Sequence, residues 1–494
     1  MVDVTVIVEK KNDVYLTIDA EPNVAREMSE FFTFEVPGFK FMPAYRNRVW
    51  DGKIRLFSQK TKEMYLGLFP YIKAYCEERD IPLVSGPGVG VVNKSDRDIV
   101  EKFCNNLGQK FEARDYQVDA VHTALKFNRT LLVSPTASGK SFIIYALIRY
   151  YEHLLKDEKR NRILIIVPTT SLVEQMYGDF KDYGWNVKKY VDRIYAKYDK
   201  MTTKKVVVST WQSIYNMNDN FFSDFGAVFG DEAHLFKSKS LTTIMTKLVD
   251  CKYRIGLTGT LDGTLTHKLV LEGLFGIANK VTSTKQLMER KQVANLTVRC
   301  LILKHTKENS RYLYDKTYQE ELEYLVGSQS RNNFITNLCL RSDGNILCLY
   351  QLVEKHGEIL YNTIKEKIDD NRKLFFVHGG VAAEERERIR AITEKQNDAI
   401  IIASYGTFST GINIRNLHNL IFASPSKSRI RNLQSIGRGL RIGDSKTHAT
   451  LYDISDDLTH RERENYTLKH FQERMKIYNE EQFDYEMHSV ELKS

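Results

Sequence analysis

Residues 131–141 read LLVSPTASGKS. An apolar run of Leu131, Leu132 and Val133 breaks into Ser134, Pro135, Thr136, Ala137, Ser138 and Gly139, then closes on Lys140 and Ser141. The pattern predicts a strand, a loop and the start of a helix. In such a loop successive backbone N–H groups curl around phosphate oxygens. The helix N-terminus adds its positive end, Lys140 a full charge, and the Ser141 hydroxyl a ligand for Mg2+. The first loop position is Ser134 where glycine is usual, and Gly-Lys-Ser also occurs in surface loops that bind nothing. The reading depends on what the rest of the chain supplies.

The chain has 494 residues, 42% of them apolar and 27% charged, which predicts a soluble protein of two or three domains. No apolar run reaches the length of a membrane span. The N-terminus, MVDVTVIVEKKNDVY, lacks a signal peptide's basic-then-apolar order, so a cytoplasmic protein with no membrane partner is expected. Six scattered cysteines without a Cys-x-x-Cys pair argue against a structural zinc and a disulfide framework. The formal charge of +9 is modest for this length.

Downstream of the loop, short apolar runs at 162–168, 205–209, 227–230 and 254–258 alternate with amphipathic stretches. This is the rhythm of a parallel sheet with helices on both faces, in which functional residues collect at the carboxyl ends of strands. The run ending at Gly230 delivers Asp231-Glu232-Ala233-His234. The aspartate can hold Mg2+, usually through water, and the glutamate can polarise an attacking water. Upstream, Arg114-Asp115-Tyr116-Gln117 places a glutamine that can read adenine through its N6 and N7 edge.

A second strand–helix rhythm begins near residue 295, with strands expected at 296–303, 346–350, 374–377, 399–403, 420–423 and 450–454, and no phosphate loop. It carries Tyr405, Thr410, Gly411 and Asn413 in SYGTFSTGIN, and Gln434, Arg438 and Arg441 in QSIGRGLR. Residues 427–446 hold six Lys or Arg against one Asp. The spacing puts Arg438 and Arg441 on one face of a helix, a pair able to stabilise charge on a γ-phosphate; surface arginines at this spacing are also common. Residues 456–494 are expected to be a charged helical tail packed through Leu468, Phe471, Met475 and Tyr478.

The first hundred residues predict a separate small α+β domain that opens on a hairpin, with a breaker cluster at 86–90 near its end. Between 38 and 62, seven Lys and Arg, including Arg46, Arg48, Lys53 and Arg55, face the single acid Asp51, and Phe39, Phe41, Tyr45, Trp50 and Phe57 are interleaved. Two readings stay open: a surface for a nucleic-acid backbone with stacking on exposed bases, or a solvated hairpin with its aromatics in the core. The division expected is 1–98, 99–295, 296–455 and 456–494. The fold class expected is α/β, two tandem parallel-sheet domains behind a small α+β domain.

In chain order the motifs are RDYQ, SPTASGKS, IIVPTTSL, VSTWQS, GDEAH, LTGT, STGIN and QSIGRGLR. This set closely resembles the superfamily 2 helicases and translocases over nearly 400 residues. The stretch YRNRVWDGKIRL at 45–56 is similar to the N-terminal basic hairpin of the UvsW-type DNA helicases of T-even bacteriophages. The resemblance implies ATP and Mg2+ as cofactors. Arg114 and Gln117 would contact adenine, the loop residues Pro135 to Ser141 the phosphates, Ser141 and Asp231 the metal, and Glu232 the attacking water. His234 and Gln434 would link the acidic motif to the second domain. Arg438 and Arg441 would be arginine fingers, Thr258 and Thr260 would couple hydrolysis to movement, and Gly411 and Asn413 would sit near strand and nucleotide. Pro168, Thr169, Thr210, Gln212, Tyr405 and Thr410 would lie along the tracked strand.

The implied activity is ATP-dependent DNA unwinding on forks, Holliday junctions, D-loops and R-loops, in recombination, repair and replication. A monomer is expected to act on branched or partly single-stranded DNA, with RNA met in R-loops, in the host cytoplasm if phage-encoded. The alternatives are an RNA helicase and an annealing or clamping protein in which ATP only gates binding.

Overall fold

The computed structural model describes residues 5–195, 202–261, 263–411, 414–426, 428–441 and 446–492. The chain divides into two compact units: Met1–Ser134 with Gly139–Val281, and Pro135–Ser138 with Thr282–Ser494. Among the described residues no helix is long and apolar enough to cross a membrane.

The first unit holds two large sheets. The N-terminal one begins with an antiparallel hairpin, Val6–Lys10 against Tyr15–Asp19. Its turn closes because the Asn12 side-chain oxygen accepts from the amides of Val14 (2.8 Å) and Tyr15 (2.9 Å). Val6, Val8, Leu16 and Ile18 bury one face, as period-2 alternation requires. The second sheet is parallel, in the order Val191–Ile194, Val206–Thr210, Arg162–Val167, Phe225–Asp231, Tyr253–Thr258, Arg129–Val133, Ala278–Lys280. Its central strands are buried along all or nearly all of their length, so they read as continuous apolar runs and not as alternation.

The small N-terminal domain shares a core with this parallel-sheet domain. Met28, Phe32, Leu68 and Ile72 belong to one apolar cluster with Leu274 and Phe275. A Cβ on Gly67 would lie 2.0 Å from the Glu272 carbonyl oxygen, so glycine permits the close approach. Polar contacts reinforce it: the Tyr71 hydroxyl donates to the buried Glu272 carboxylate (2.6 Å), the Asp13 amide to Val249 O (2.8 Å), and Arg129 to Asp13 O (2.9 Å).

The second unit is built on another sheet, in the order Leu374–Val377, Ile400–Ser404, Ile346–Tyr350, Asn419–Phe422, His448–Asp457, Asn295–Lys304, Asp484–Glu491. The tail is only partly the helix expected. Helix Tyr466–Glu480 buries Phe471 and Tyr478, but its buried face also carries Arg474, whose guanidinium pairs with the buried Asp453 at 2.7 Å. Strand Asp484–Glu491 then joins the sheet edge beside Asn295–Lys304. It is exposed along nearly its whole length, so backbone pairing defines it and hydrophobic period does not.

Candidate nucleotide and nucleic-acid site

The parallel register brings the predicted residues of the first unit to one edge. Asp231 pairs with Leu257, Thr258 with Val133, and Thr210 with Val167, so the acidic motif, the LTGT turn and the loop strand end side by side. Helix Lys140–Leu154 starts at Gly139, an N-cap residue with no side chain to occupy the first-turn N–H groups. Gly139 is required twice over: its φ is +82°, and a Cβ there would meet Gln117 Nε2 at 2.3 Å. The predicted adenine reader is therefore packed against the phosphate loop. The Gln117 oxygen also accepts from the Arg114 amide (3.0 Å), while Arg114 Nη1 donates to the Tyr116 hydroxyl (2.7 Å).

Within the loop the Ser138 hydroxyl donates to Pro135 O (2.7 Å) and Ala137 holds a left-handed φ of 68°. Lys140 Nζ donates to Ser134 O (3.2 Å). The Ser141 hydroxyl lies 3.1 Å from that of Tyr183, a partner the motif did not suggest.

Asp231 is buried, and burial together with the Glu232 charge beside it raises its carboxyl to about 7, against the pull of Lys140. A buried acid so undercompensated suits a cation. A hard oxygen donor set of one hydroxyl and one carboxylate leaves the remaining positions to water and phosphate, as Mg2+ prefers. The residues present thus fit a Mg2+–nucleotide. Glu232 has a left-handed φ of 50°, an uncommon and strained conformation for a side chain of this kind. His234 Nδ1 stands 3.1 Å from the Thr258 hydroxyl and 3.4 Å from Glu232 Oε2. Thr258 in turn donates to Thr260 O (3.0 Å), which ties the acidic motif to the LTGT turn within the unit.

Of the residues expected along a tracked strand, Pro168 and Thr169 are half-buried, Gln212 is exposed and Thr210 is buried. Thr169 and Thr210 both serve their own elements, one capping a helix through Leu172 N and the other bonding Ser213 at 2.9 Å.

In the second unit Tyr405 must be corrected. It is buried, its hydroxyl donates to Ser424 O (3.2 Å), and it has no ring face to offer a strand. Its role is support: the Arg431 guanidinium lies 5.8 Å from its ring centre, and Arg438 lies as far from Phe408, so two aromatics carry two cations of helix Arg429–Gly439. Gln434 and Arg438 are one turn apart on that helix. Arg441 is not on it, because the helix ends at Gly439. Just past its end, the Arg441 amide bonds Arg438 O (3.5 Å), Leu440 O accepts from Ala294 N (2.8 Å) and Arg441 O from the buried Lys446 Nζ (3.2 Å). Burial lowers the Lys446 ammonium to about 7. Thr410 and Gly411 end helix Tyr405–Gly411, and Asn413 lies outside the described residues.

The N-terminal basic residues Lys40, Arg46, Arg48, Lys53 and Arg55 are all exposed. Phe41 and Val49 are 76% and 81% exposed beside them, whereas Phe57 is in the core. Arg46, Arg48, Tyr45 and Trp50 line a concavity of about 500 Å3. Arg55 is partly engaged, bridging Asp51 at 2.5 Å.

Comparison with known proteins accords with this geometry. Residues 5–84 match the family described as DNA helicase UvsW, N-terminal; residues 110–263 match Type III restriction enzyme, res subunit; and residues 329–443 match Helicase conserved C-terminal domain. The ATP-dependent DNA helicase uvsW of Enterobacteria phage T4 is 34% identical over 500 residues, covering 97% of this chain and 98% of the relative. The chain belongs to the superfamily 2 helicases. The crystal structure of T4 UvsW, 32% identical, covers 99% of this chain and 100% of that one with a TM-score of 0.52. The Putative ATP-dependent RNA helicase L396 of Acanthamoeba polyphaga mimivirus is 26% identical over 348 residues, 66% of this chain and 60% of its own.

Proposed function

We propose that this superfamily 2 helicase is a UvsW-type, ATP-dependent DNA helicase and translocase that remodels branched DNA, including forks, Holliday junctions, D-loops and R-loops, in recombination, repair and replication. The observation that carries the reading is the exposed basic and aromatic surface of a domain that resembles the UvsW N-terminus over residues 5–84. Arginine and lysine there would neutralise phosphates, and the exposed Phe41 and half-buried Tyr45 and Trp50 would meet bases or sugars.

In the motor, Lys140 would bind the β and γ phosphates, and Ser141 and Asp231 would hold Mg2+. The metal supplies charge neutralisation and alignment when bound. Gln117 and Arg114 bind the adenine, Glu232 orients the attacking water, and His234 holds Glu232 and Thr258 in register. Arg438 and Arg441 stabilise the charge that develops on the γ-phosphate. Pro168, Thr169 and Gln212 bear on the strand. Lys140, Ser141 and the acids belong to one unit and the arginines to the other.

The decisive measurement is ATPase activity with single-stranded DNA, fork DNA, Holliday junction and RNA compared side by side. Strongest stimulation by branched DNA is expected. Stimulation by RNA alone would favour an RNA helicase, the reading supported by the likeness to the mimivirus relative. Equal function in Glu232→Gln would favour a clamp that ATP only gates.

A further inference from the structure

Helix Thr170–Asp182 has a residue of interest at each end. Thr169 caps its N-terminus, accepting from Leu172 N at 3.4 Å, and also bonds Ser171 at 3.0 Å. Tyr183 is its C-cap residue, with its amide on Asp179 O at 2.9 Å. Thirteen residues at 1.5 Å each make a rod of about 20 Å. Val173, Met176 and Phe180 are buried along it, so one face is packed along most of its length.

The Tyr183 ring is wedged against the helix that follows the phosphate loop. Its centre lies 5.7 Å from Phe142, edge on at 88°, and 5.2 Å from Tyr145, with Phe111 at 5.7 Å on the outside. From that wedge the hydroxyl reaches the Ser141 hydroxyl at 3.1 Å. Ser141 has one proton and two lone pairs. A tyrosine oxygen that accepts the proton turns the lone pairs away from itself and leaves them for a cation.

We propose that Tyr183 is a positioning residue that orients the Ser141 hydroxyl for Mg2+ and, through helix Thr170–Asp182, couples that ligand to strand contact at Thr169. The proposal rests on the motor reading above, in which Ser141 is a metal ligand and Thr169 touches the strand. A shift of the helix under a bound strand moves both ends together, because its packed face resists bending. The end that carries Tyr183 then alters the orientation of the Ser141 hydroxyl.

The test is Mg2+-dependent binding of a fluorescent non-hydrolysable ATP analogue to the full chain, with and without single-stranded DNA. Tyr183→Phe keeps the aromatic wedge and removes only the hydroxyl. It should raise the Mg2+ concentration for half-maximal binding about threefold to tenfold, the worth of one hydrogen bond, while leaving binding in EDTA unchanged. DNA should lower that concentration in the wild type and have no effect on it in Tyr183→Phe. Ser141→Ala should give a similar loss, and the double variant should be no worse than Ser141→Ala.

An unchanged or lowered Mg2+ requirement in Tyr183→Phe, an equal loss in EDTA, or additive single losses would overturn the orienting role. A DNA response that persists in Tyr183→Phe, or is absent from the wild type, would overturn the coupling. Lys140→Ala keeps the two questions apart: undiminished binding and turnover there would sink the nucleotide site itself, whereas its loss beside a normal Tyr183→Phe sinks only this inference.

Discussion

At the scale of single residues, the acidic motif shows how sequence neighbours acquire separate tasks. Asp231 ends a buried strand, so its carboxyl is desolvated and raised. Glu232, one residue on, is turned through a left-handed φ of 50° and half-exposed, and His234 returns to Thr258. Glu232→Gln keeps the volume and removes the base. ATP turnover should fall by about 10²- to 10⁴-fold, the usual worth of a general base, while affinity for a non-hydrolysable analogue stays within a few-fold of wild type. Steady-state ATPase beside equilibrium binding checks this; a parallel loss of both would mean that Glu232 holds the nucleotide and does not act on water.

At the scale of elements, the segment between strand Asn419–Phe422 and helix Arg429–Gly439 is gripped by buried charges. Arg331 spans from Asp456 (2.9 Å) to Ala423 O (2.8 Å), and Arg474 from Asp453 (2.7 Å) to Ser426 O (2.9 Å). His305 adds a bond to Asp456 at 3.0 Å. Burial pushes the Asp456 carboxyl up, but Arg331 and His305 outweigh it and hold the group at about 2. A folded value below the unfolded one means stability that is present above about pH 4 and lost as pH falls towards 2, on the order of 2 kcal/mol. Urea unfolding of the second unit should therefore be markedly easier at pH 3 than at pH 6. Asp456→Asn should flatten that difference and cost about 3–5 kcal/mol at neutral pH by stranding Arg331. An unchanged unfolding midpoint in the variant would show the pair to be dispensable.

The basic hairpin is also an element with its own expected outcome. Neutralising Arg46, Arg48, Lys53 and Arg55 should weaken binding to branched DNA and make the slope of log affinity against log salt shallower by about three, since each phosphate contact contributes nearly one and Arg55 is already shared with Asp51. Fluorescence anisotropy across a salt series reads this directly. An unaltered slope would return these residues to ordinary surface charge.

For the whole molecule, the N-terminal sheet and the first parallel sheet form one compact unit through the shared core, Gly67 and the Tyr71–Glu272 bond. Residues 1–281 should fold alone with a single thermal transition, and residues 1–98 alone should lack one, because their apolar face toward Phe275 is then bare. Circular dichroism melts of the two fragments test it; a cooperative melt of 1–98 would make the small domain independent. The local signals in the chain were strong where burial was strong. The central strands, and the placing of Lys140, Ser141 and Asp231 at or just after strand ends, were legible because a buried parallel strand is an unbroken apolar run. Elsewhere the decision lay in contacts between distant segments. Strand Asp484–Glu491 has no buried face to betray it, and Tyr405 looks like a surface aromatic until Ser424 takes its hydroxyl. The carbonyls beyond Gly439 are satisfied by Ala294 and Lys446, and Tyr183 meets Ser141 only when two helices pack. Periodicity along a chain records burial, which is local in its demand, whereas a hydrogen bond between residues far apart in sequence leaves no mark on either one alone.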